Sequence, residues 1–350
     1  MDALKLFNSR RLPVIQGPMA GGFCTPELIA AVCNAGGLGS LPGSLLSVAA
    51  LRDQVAAIRS LTNQPFFLNF FVQSVPAPDD SAIAAASQLL RPIWQQLGWD
   101  ELPRPSQWCQ DFHAQFETLL ELRPALASFT FDILSSQQVE RLHGAGILVL
   151  GTVTTVAEAV AWQAVGADAV IASGIEAGGH RGTFIGRQEE ATLTARELWS
   201  QVVAAVRLPV VAAGAIMDGR DIGAALALGV SAVQMGTAFL VSDEAAVHPA
   251  YKQRLLSANA QTRLTRAISG RYARGIENDF MREMEAVEQQ VPAYPVQNAL
   301  TGSIRAAAAA AGNSELMSLW AGSGVNRARP MSVAALMNTL AAEMTATSLK

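Results

Sequence analysis

The chain has 350 residues, half of them hydrophobic, and a formal net charge of -4 at pH 7. A chain of this length and hydrophobicity buries a substantial core, which excludes an intrinsically disordered protein. Because it contains no long block of like charges, we expect neither nucleic acid nor a membrane surface as a partner.

Residues 1–11 lack the apolar stretch of a signal peptide, and no run in the chain approaches the roughly 18 apolar residues that a membrane-spanning helix needs. The cysteines, Cys24, Cys33 and Cys109, form neither a CxxC pair nor a metal-ligating cluster with histidine. We therefore expect a cytoplasmic protein with reduced thiols and no bound metal. The sequence leaves open whether it is a monomer or a homodimer.

Short apolar runs alternate along the chain with longer segments of helical period. We predict strands at residues 13–16, 37–40, 65–71, 128–133, 146–150, 169–172, 209–212 and 232–235. We predict helices at residues 25–34, 47–60, 155–165, 194–206 and 218–228. Some helices have clear start signals, such as Thr25 before Pro26 and Thr194 three residues before Glu197. This alternation predicts an α/β fold, a (β/α)8 TIM barrel.

Two segments interrupt the alternation. Residues 76–124, after the third strand, are too long for a simple connection, and we predict two extra helices over the barrel mouth. Residues 241–301, after the eighth strand, are predicted to form a helical insertion that covers the active site. The barrel then consists of residues 1–240 and 302–350. Its closing helices include the alanine run 306–311, to which we assign no chemistry.

Small and polar residues follow nearly every predicted strand, where ligands bind in barrels of this type. Because glycine has no Cβ, these strand ends predict a broad, flat ligand that lies close to the backbone. After the seventh and eighth strands, Gly214 and Gly236 with Thr237 are typical of a phosphate site, because glycine-lined turns and helix N-termini expose backbone N–H groups. Gly178 and Gly179 could close this site from the neighbouring strand.

His180 is the candidate catalytic residue. It follows the apolar run 169–172 and lies among glycines in a predicted loop at a strand end. Histidine is the side chain whose charge changes near neutral pH, and strand-end loops carry the chemistry of parallel α/β proteins. The remaining histidines are interpreted as surface or structural groups.

The sequence resembles the nitronate monooxygenases, formerly called 2-nitropropane dioxygenases, over nearly its whole length. The barrel segments that carry the resemblance are QGPMAGG (16–22), NAGGLGS (34–40), NFF (69–71), EAGGHRG (176–182), AAGAI (212–216) and QMGTAF (234–239). The C-terminal segments NALTG (298–302) and SLWAG (318–322) are similar to those of the bacterial class I members.

The resemblance implies an FMN-dependent enzyme that oxidises alkyl nitronates, notably propionate 3-nitronate, with O2 to a carbonyl compound and nitrite or nitrate. His180 would face the substrate. Ser173 stands where the family often has glutamine, so its contact with the flavin would be shorter or mediated by water. The resemblance implies flavin contacts for Met19, Asn69, Ser173, Gly178, Gly179, Gly214, Gln234, Met235, Gly236 and Thr237.

A nitronate is an anion with two oxygens, which defines the partners it needs. We expect His180 to donate a hydrogen bond to one oxygen and the hydroxyls of Tyr251 and Tyr294 to donate to the second. The alternative interpretation is that the two tyrosines only pack the insertion. With a neutral nitroalkane, His180 would instead remove the α-proton, for which an imidazole near its ordinary pKa of about 6.5 is well matched.

Other functions are compatible with the same segments. A flavin-dependent enoyl-ACP reductase or an NADH:quinone reductase would take hydride from NAD(P)H. Chemistry like that of inosine monophosphate dehydrogenase fits less well, because it needs a cysteine nucleophile in a loop after the central strands. The same glycines are also compatible with a barrel that binds a phosphorylated ligand and is not an enzyme.

Overall fold

The computed structural model describes residues 2–348 and shows a barrel of eight parallel strands. The barrel strands are β1 (Val14–Gln16), β2 (Ser40–Pro42), β3 (Phe67–Phe71), β4 (Leu126–Thr130), β5 (Leu148–Val153), β6 (Ala169–Ser173), β8 (Val210–Ala213) and β9 (Ala232–Met235). Strand β7 (Gly179–His180) lies outside the barrel. Neighbouring barrel strands follow the order β1-β9-β8-β6-β5-β4-β3-β2.

The barrel closes between β1 and β2 through a single parallel bridge between Ile15 and Leu38. The Gln16 amide donates to the Leu38 carbonyl at 2.9 Å. Side chains extend this short seam: the Gln16 Oε1 accepts from the Ser40 amide at 2.9 Å, and the Ser40 hydroxyl donates to the Gln16 carbonyl at 2.6 Å. The predicted TIM barrel is therefore confirmed, although β2 begins later than the sequence predicts.

Helices surround the barrel. They are α1 (Ala3–Asn8), α2 (Pro26–Asn34), α3 (Val48–Leu61), α4 (Asp80–Leu89), α5 (Arg91–Gln96), α6 (Phe112–Leu122), α7 (Ser136–Gly144), α8 (Val156–Ala164), α9 (Ala195–Ala205), α10 (Gly219–Leu226), α11 (Thr237–Leu240), α12 (Pro249–Leu255), α13 (Asp279–Met284), α14 (Val296–Leu300), α15 (Gly302–Ala310) and α16 (Val333–Ser348). The predicted start signals are present: Thr25 caps α2 by accepting from the Leu28 amide, and Thr194 forms a capping box with Glu197 at the start of α9.

The segment after β3 contains α4 and α5 as the extra helices, and α6 is the crossover helix that packs against α3 and β3. Near the opposite end of the chain, α16 packs against α10 and α2. The C-terminal helix therefore belongs to the outer layer of the barrel.

The insertion at residues 241–301 is only partly helical, so the expectation of a helical insertion is corrected here. It contains the antiparallel strands β10 (Thr262–Thr265) and β11 (Ala273–Ile276), and β11 also pairs with β7. Gly270 and Gly275 disfavour a helix in this segment. The extended backbone also lets Arg274 reach the Ile175 carbonyl, at 2.9 Å.

The barrel interior is filled at its N-terminal end. Leu6 and Phe7 of α1 pack in the same buried cluster as interior residues such as Ile15, Leu150 and Val211. A second, larger cluster lies between the strands and the surrounding helices. Because the interior is plugged at the bottom, the open space is at the other end of the strands.

Gly151 of β5 has the sharpest packing requirement in the barrel wall, since a Cβ there would lie 2.2 Å from the buried Trp162 ring. We expect Gly151→Ala to lower the free energy of unfolding by about 1 to 3 kcal/mol, because the core must shift to admit the methyl group. Gly144→Ala is the matched control. A Cβ at Gly144, at the end of α7, would meet nothing within 4 Å, so this variant should be neutral or more stable by roughly 0.4 to 1 kcal/mol. Urea unfolding followed by circular dichroism measures both, and equal midpoints for the two variants would contradict the packing argument.

Candidate active site

A cavity of about 480 Å³ lies at the C-terminal ends of the barrel strands, within the size range of small-molecule sites. It is lined by every residue that the sequence places in the site, although their individual roles remain predictions. These residues are Met19, Asn69, Ser173, Gly178, Gly179, His180, Gly214, Gln234, Met235, Gly236, Thr237, Tyr251 and Tyr294.

Free backbone donors lie at the ends of β8 and β9. The N–H groups of Gly214, Ala215 and Gly236 donate no hydrogen bond to any described residue. Gly214 and Ala215 both have positive φ, 128° and 54°, a conformation that side chains rarely adopt. Consecutive N–H groups in such turns form anion-binding concavities. These residues therefore fit the phosphate of the FMN that the resemblance implies.

Buried polar side chains on the floor of the cavity also fit a flavin. The Gln234 Oε1 is buried and has no hydrogen-bond partner, so it is available to accept from a ring N–H of a ligand. Asn69 donates to the Ser128 hydroxyl at 2.9 Å, which fixes its amide. Ser173 is buried, and its carbonyl accepts from Arg181 at 2.9 Å, so the strand end beside the ligand space is held by a buried guanidinium.

The loop after β6 is held against two other segments. A Cβ on Gly178 would approach the Gly322 amide nitrogen to 2.5 Å, so only glycine fits there. Gly179 and His180 form β7 and pair with Arg274 and Ala273 of β11. The position of His180 is thus fixed by a backbone ladder.

A hydrogen-bond chain assigns the tautomer of His180. Its Nε2 lies 2.9 Å from the Ser269 hydroxyl oxygen, and that hydroxyl donates to the Arg271 carbonyl at 3.0 Å. A hydroxyl has one proton, so satisfying both contacts requires that Nε2 donates to Ser269. The Nδ1 of the neutral ring then has a free lone pair, because no described residue bonds to it.

Aromatic rings surround the imidazole. The ring centres of Phe131, Tyr294 and Trp320 lie 5.6, 5.5 and 5.4 Å from that of His180. Phe131 has a φ of 85°, a strained backbone conformation, and the Arg271 guanidinium lies 4.2 Å from the centre of its ring.

This environment changes the proton affinity of His180. Burial, together with the positive charges of Arg271 and Arg305, lowers the pKa of His180 from 6.5 to about 3. The expectation of an imidazole near its ordinary pKa is therefore wrong, and His180 is neutral at physiological pH.

The two tyrosines differ in what they can donate. The Tyr251 hydroxyl donates to the Trp320 carbonyl, so its proton is engaged and it cannot serve a nitronate as a donor. The Tyr294 hydroxyl has no hydrogen bond with a described residue, and burial raises its pKa, so it keeps its proton. Tyr294 fits the predicted donor role, whereas Tyr251 fits the packing interpretation.

Two residues that line the cavity, Arg305 of α15 and Trp320, were not predicted from the sequence. Arg305 is the only charged residue between Glu288 and Glu315, so an isolated cation in an apolar helix was the available signal. Trp320 lies in the SLWAG segment that carries part of the resemblance, but nothing in that segment assigned it to the cavity.

Within residues 2–348, no helix has both the length and the apolar character needed to cross a membrane. Over the same residues, no group of three or more His, Cys, Asp or Glu side chains is arranged to hold a metal ion.

The chain is similar to proteins of one enzyme family over nearly its whole length. A family model described as nitronate monooxygenase matches residues 5–343. A probable nitronate monooxygenase of Bacillus subtilis (strain 168) is 40% identical over 98% of this chain and 98% of that protein. A probable nitronate monooxygenase of Staphylococcus haemolyticus (strain JCSC1435) is 40% identical over 94% of this chain and 92% of that protein.

Solved structures agree with the sequence matches. A nitroalkane oxidase from Streptomyces ansochromogenes has a TM-score of 0.91 and 40% identity, covering 99% of each chain. FabK from Thermotoga maritima has a TM-score of 0.77 and 29% identity, covering 99% of this chain and 96% of that chain.

The low pKa of His180 predicts a pH effect on stability. The folded protein keeps His180 neutral down to about pH 3, whereas the unfolded chain protonates it near 6.5, so its contribution to stability is present above 6.5 and is lost as the pH falls. We expect the free energy of unfolding to decrease less in His180→Asn than in the wild type between about pH 7 and about pH 4.5. Urea unfolding of both proteins across this range provides the measurement, and parallel pH dependences would refute the assignment.

Proposed function

The chain belongs to the nitronate monooxygenase family, whose members are flavin-dependent oxidoreductases, and from this premise we propose that it oxidises alkyl nitronates with O2 to a carbonyl compound and nitrite or nitrate. We propose FMN as its cofactor and propionate 3-nitronate as a substrate. The observation that carries the proposal is the chemistry of the cavity, which has donors for an anion, a neutral histidine and no acidic side chain among its lining residues.

Bound FMN would supply the electron acceptor and the reaction with O2, so the protein's task is to hold the cofactor and position the substrate. The free N–H groups of Gly214, Ala215 and Gly236 would hold the phosphate. The Gln234 Oε1 would accept a hydrogen bond from the ring system, and Met19, which lies beside Gly236, would contact it from the β1 end.

Because its Nε2 donates to Ser269, His180 offers the substrate only the Nδ1 lone pair, so it would not donate to a nitronate oxygen as expected from the sequence. A base with a pKa of about 3 removes a proton from a neutral nitroalkane poorly, because general bases work best with a pKa near the operating pH. A nitronate has already lost that proton. The site therefore favours nitronates over nitroalkanes, with the Tyr294 hydroxyl as a donor to a nitronate oxygen.

A flavin enzyme that takes hydride from NAD(P)H is the second candidate. The similarity to FabK at 29% identity and a TM-score of 0.77 favours an enzyme of this kind over a barrel that binds a phosphorylated ligand without catalysis. The higher identity and TM-score of the nitroalkane oxidase structure favour nitronate oxidation.

Anaerobic titration of the purified, flavin-loaded protein distinguishes the two functions. We expect propionate 3-nitronate to bleach the flavin absorbance and admission of O2 to restore it, because the nitronate is the electron donor in the proposed reaction. NADH at the same concentration should leave the absorbance unchanged over the same time. Rapid bleaching by NADH alone would favour the reductase, and a protein that purifies without flavin would contradict both.

Substitution at Gly236 tests the phosphate site without straining the backbone. A Cβ there would make only ordinary contacts with Met19, at 3.8 Å and beyond, so Gly236→Asp and Gly236→Asn should both fold. A carboxylate about 4 Å from the phosphate costs roughly 4 kcal/mol at an effective dielectric constant of about 20. We expect the Asp variant to bind FMN at least about 100-fold more weakly than its uncharged isostere, as measured by quenching of FMN fluorescence. Equal affinities would place the phosphate elsewhere, and circular dichroism checks that both variants are folded.

A further inference from the structure

Among the described residues that line the cavity, Arg305 is the only charged side chain other than histidine, and none is Asp or Glu. Its guanidinium forms no ion pair with a described residue. Nη2 donates to the carbonyl and the side-chain oxygen of Asn298 at 2.7 and 3.1 Å, and Nη1 donates to the Ser318 hydroxyl at 3.3 Å. The buried Nε has no partner.

Arg305 is half-buried, and its Nε is out of contact with solvent. A cation held among neutral groups in this way is unfavourable unless an anion completes the site. Burial lowers the pKa of Arg305 to about 10, so the side chain still carries its charge at neutral pH. Its neighbours compensate little for the loss of hydration of this charge, because they are neutral oxygens and the Nε–H group has no acceptor. The partner that this cation needs is therefore an anionic group that residues 2–348 do not supply.

We propose that Arg305 is the receptor for a carboxylate carried by the substrate, and that it makes the enzyme selective for nitronates that bear this second negative charge. The proposal rests on the proposed function, because it assigns a residue to substrate selection in that reaction. A guanidinium suits the task, since its planar fork matches the two oxygens of a carboxylate.

The other anionic groups have donors elsewhere in the cavity. The phosphate of FMN is assigned to the free N–H groups at the ends of β8 and β9, and the nitronate group is assigned to Tyr294 beside His180. Arg305 lies on α15, outside the barrel wall, and its contacts are with Asn298 and Ser318 rather than with the strand ends. A second possible role is charge compensation for the flavin ring, and the experiment separates the two.

The kinetic test compares two substrates of equal carbon number, propionate 3-nitronate and propyl-1-nitronate, which lacks the carboxylate. Loss of a charged hydrogen bond corresponds to roughly 10- to 150-fold. We expect Arg305→Gln to lower kcat/KM for propionate 3-nitronate by this factor, mainly through KM, and to change kcat/KM for propyl-1-nitronate less than about threefold. Arg305→Lys should restore part of the loss, because it restores the charge without the planar fork.

Equal losses of kcat/KM on both substrates would overturn the proposal. An unchanged ratio of the two kcat/KM values together with a shifted flavin reduction potential would also overturn it and would assign Arg305 to the cofactor. Calorimetric titration of the flavin-loaded protein with propionate gives a readout that does not depend on turnover. We expect heat of binding with the wild type and at least a tenfold weaker affinity with Arg305→Gln. If neither nitronate is oxidised but propionate binding still depends on Arg305, the proposed function fails and the carboxylate receptor stands. Equal propionate affinities in both proteins would refute the receptor.

Discussion

The short backbone ladder between β7 and β11 fixes the position of His180, and the cavity depends on it. Strand β7 has only Gly179 and His180, yet two hydrogen bonds at the next residue extend the pairing: the Arg181 amide donates to the Tyr272 carbonyl at 2.7 Å, and the Arg271 Nε donates to the Arg181 carbonyl at 2.8 Å. The ladder also sets Arg271 against Phe131. The insertion therefore contributes to the candidate site, because it carries Arg271, one of the two cations that lower the pKa of His180; the other cation, Arg305, lies on α15.

The barrel was predictable from the sequence because its strands and helices have distinct periods, and the strand ends could be located from them. Boundaries shifted where an apolar side chain continues to be buried after the strand has ended. Phe131 illustrates this: β4 ends at Thr130, but Phe131 turns to a φ of 85° and stacks on Phe71 at 4.0 Å between ring centres. The hydrophobicity of a residue predicts that it is buried, but it does not predict where the backbone leaves the strand.

Most of the candidate site was predictable because glycines and polar residues follow strands; Tyr251 and Tyr294 of the insertion are the exceptions. The sequence locates His180, Gly214 and Gly236 for that reason. It could not show that β7 pairs with β11, because a strand of two residues is too short to show an alternating pattern of apolar and polar residues. Nor could it show that the Tyr251 hydroxyl donates its proton to a carbonyl. Arg305 lies in an alanine-rich helix. High helix propensity explains the neighbouring alanines, and arginine is also a good helix former, so propensity alone does not assign Arg305 to the cavity.

The seam between β1 and β2 constrains how this sequence can evolve. Gln16 and Ser40 are both fully buried and replace missing ladder bonds with side-chain bonds to each other's backbone. Changing either residue alone removes the partner of a buried backbone group on the other, and an apolar pair would leave both the residue 40 amide and the residue 16 carbonyl unpaired. The two positions are thus coupled across 24 residues of the chain, and the seam can lose these side chains without a stability cost only where backbone hydrogen bonds take their place.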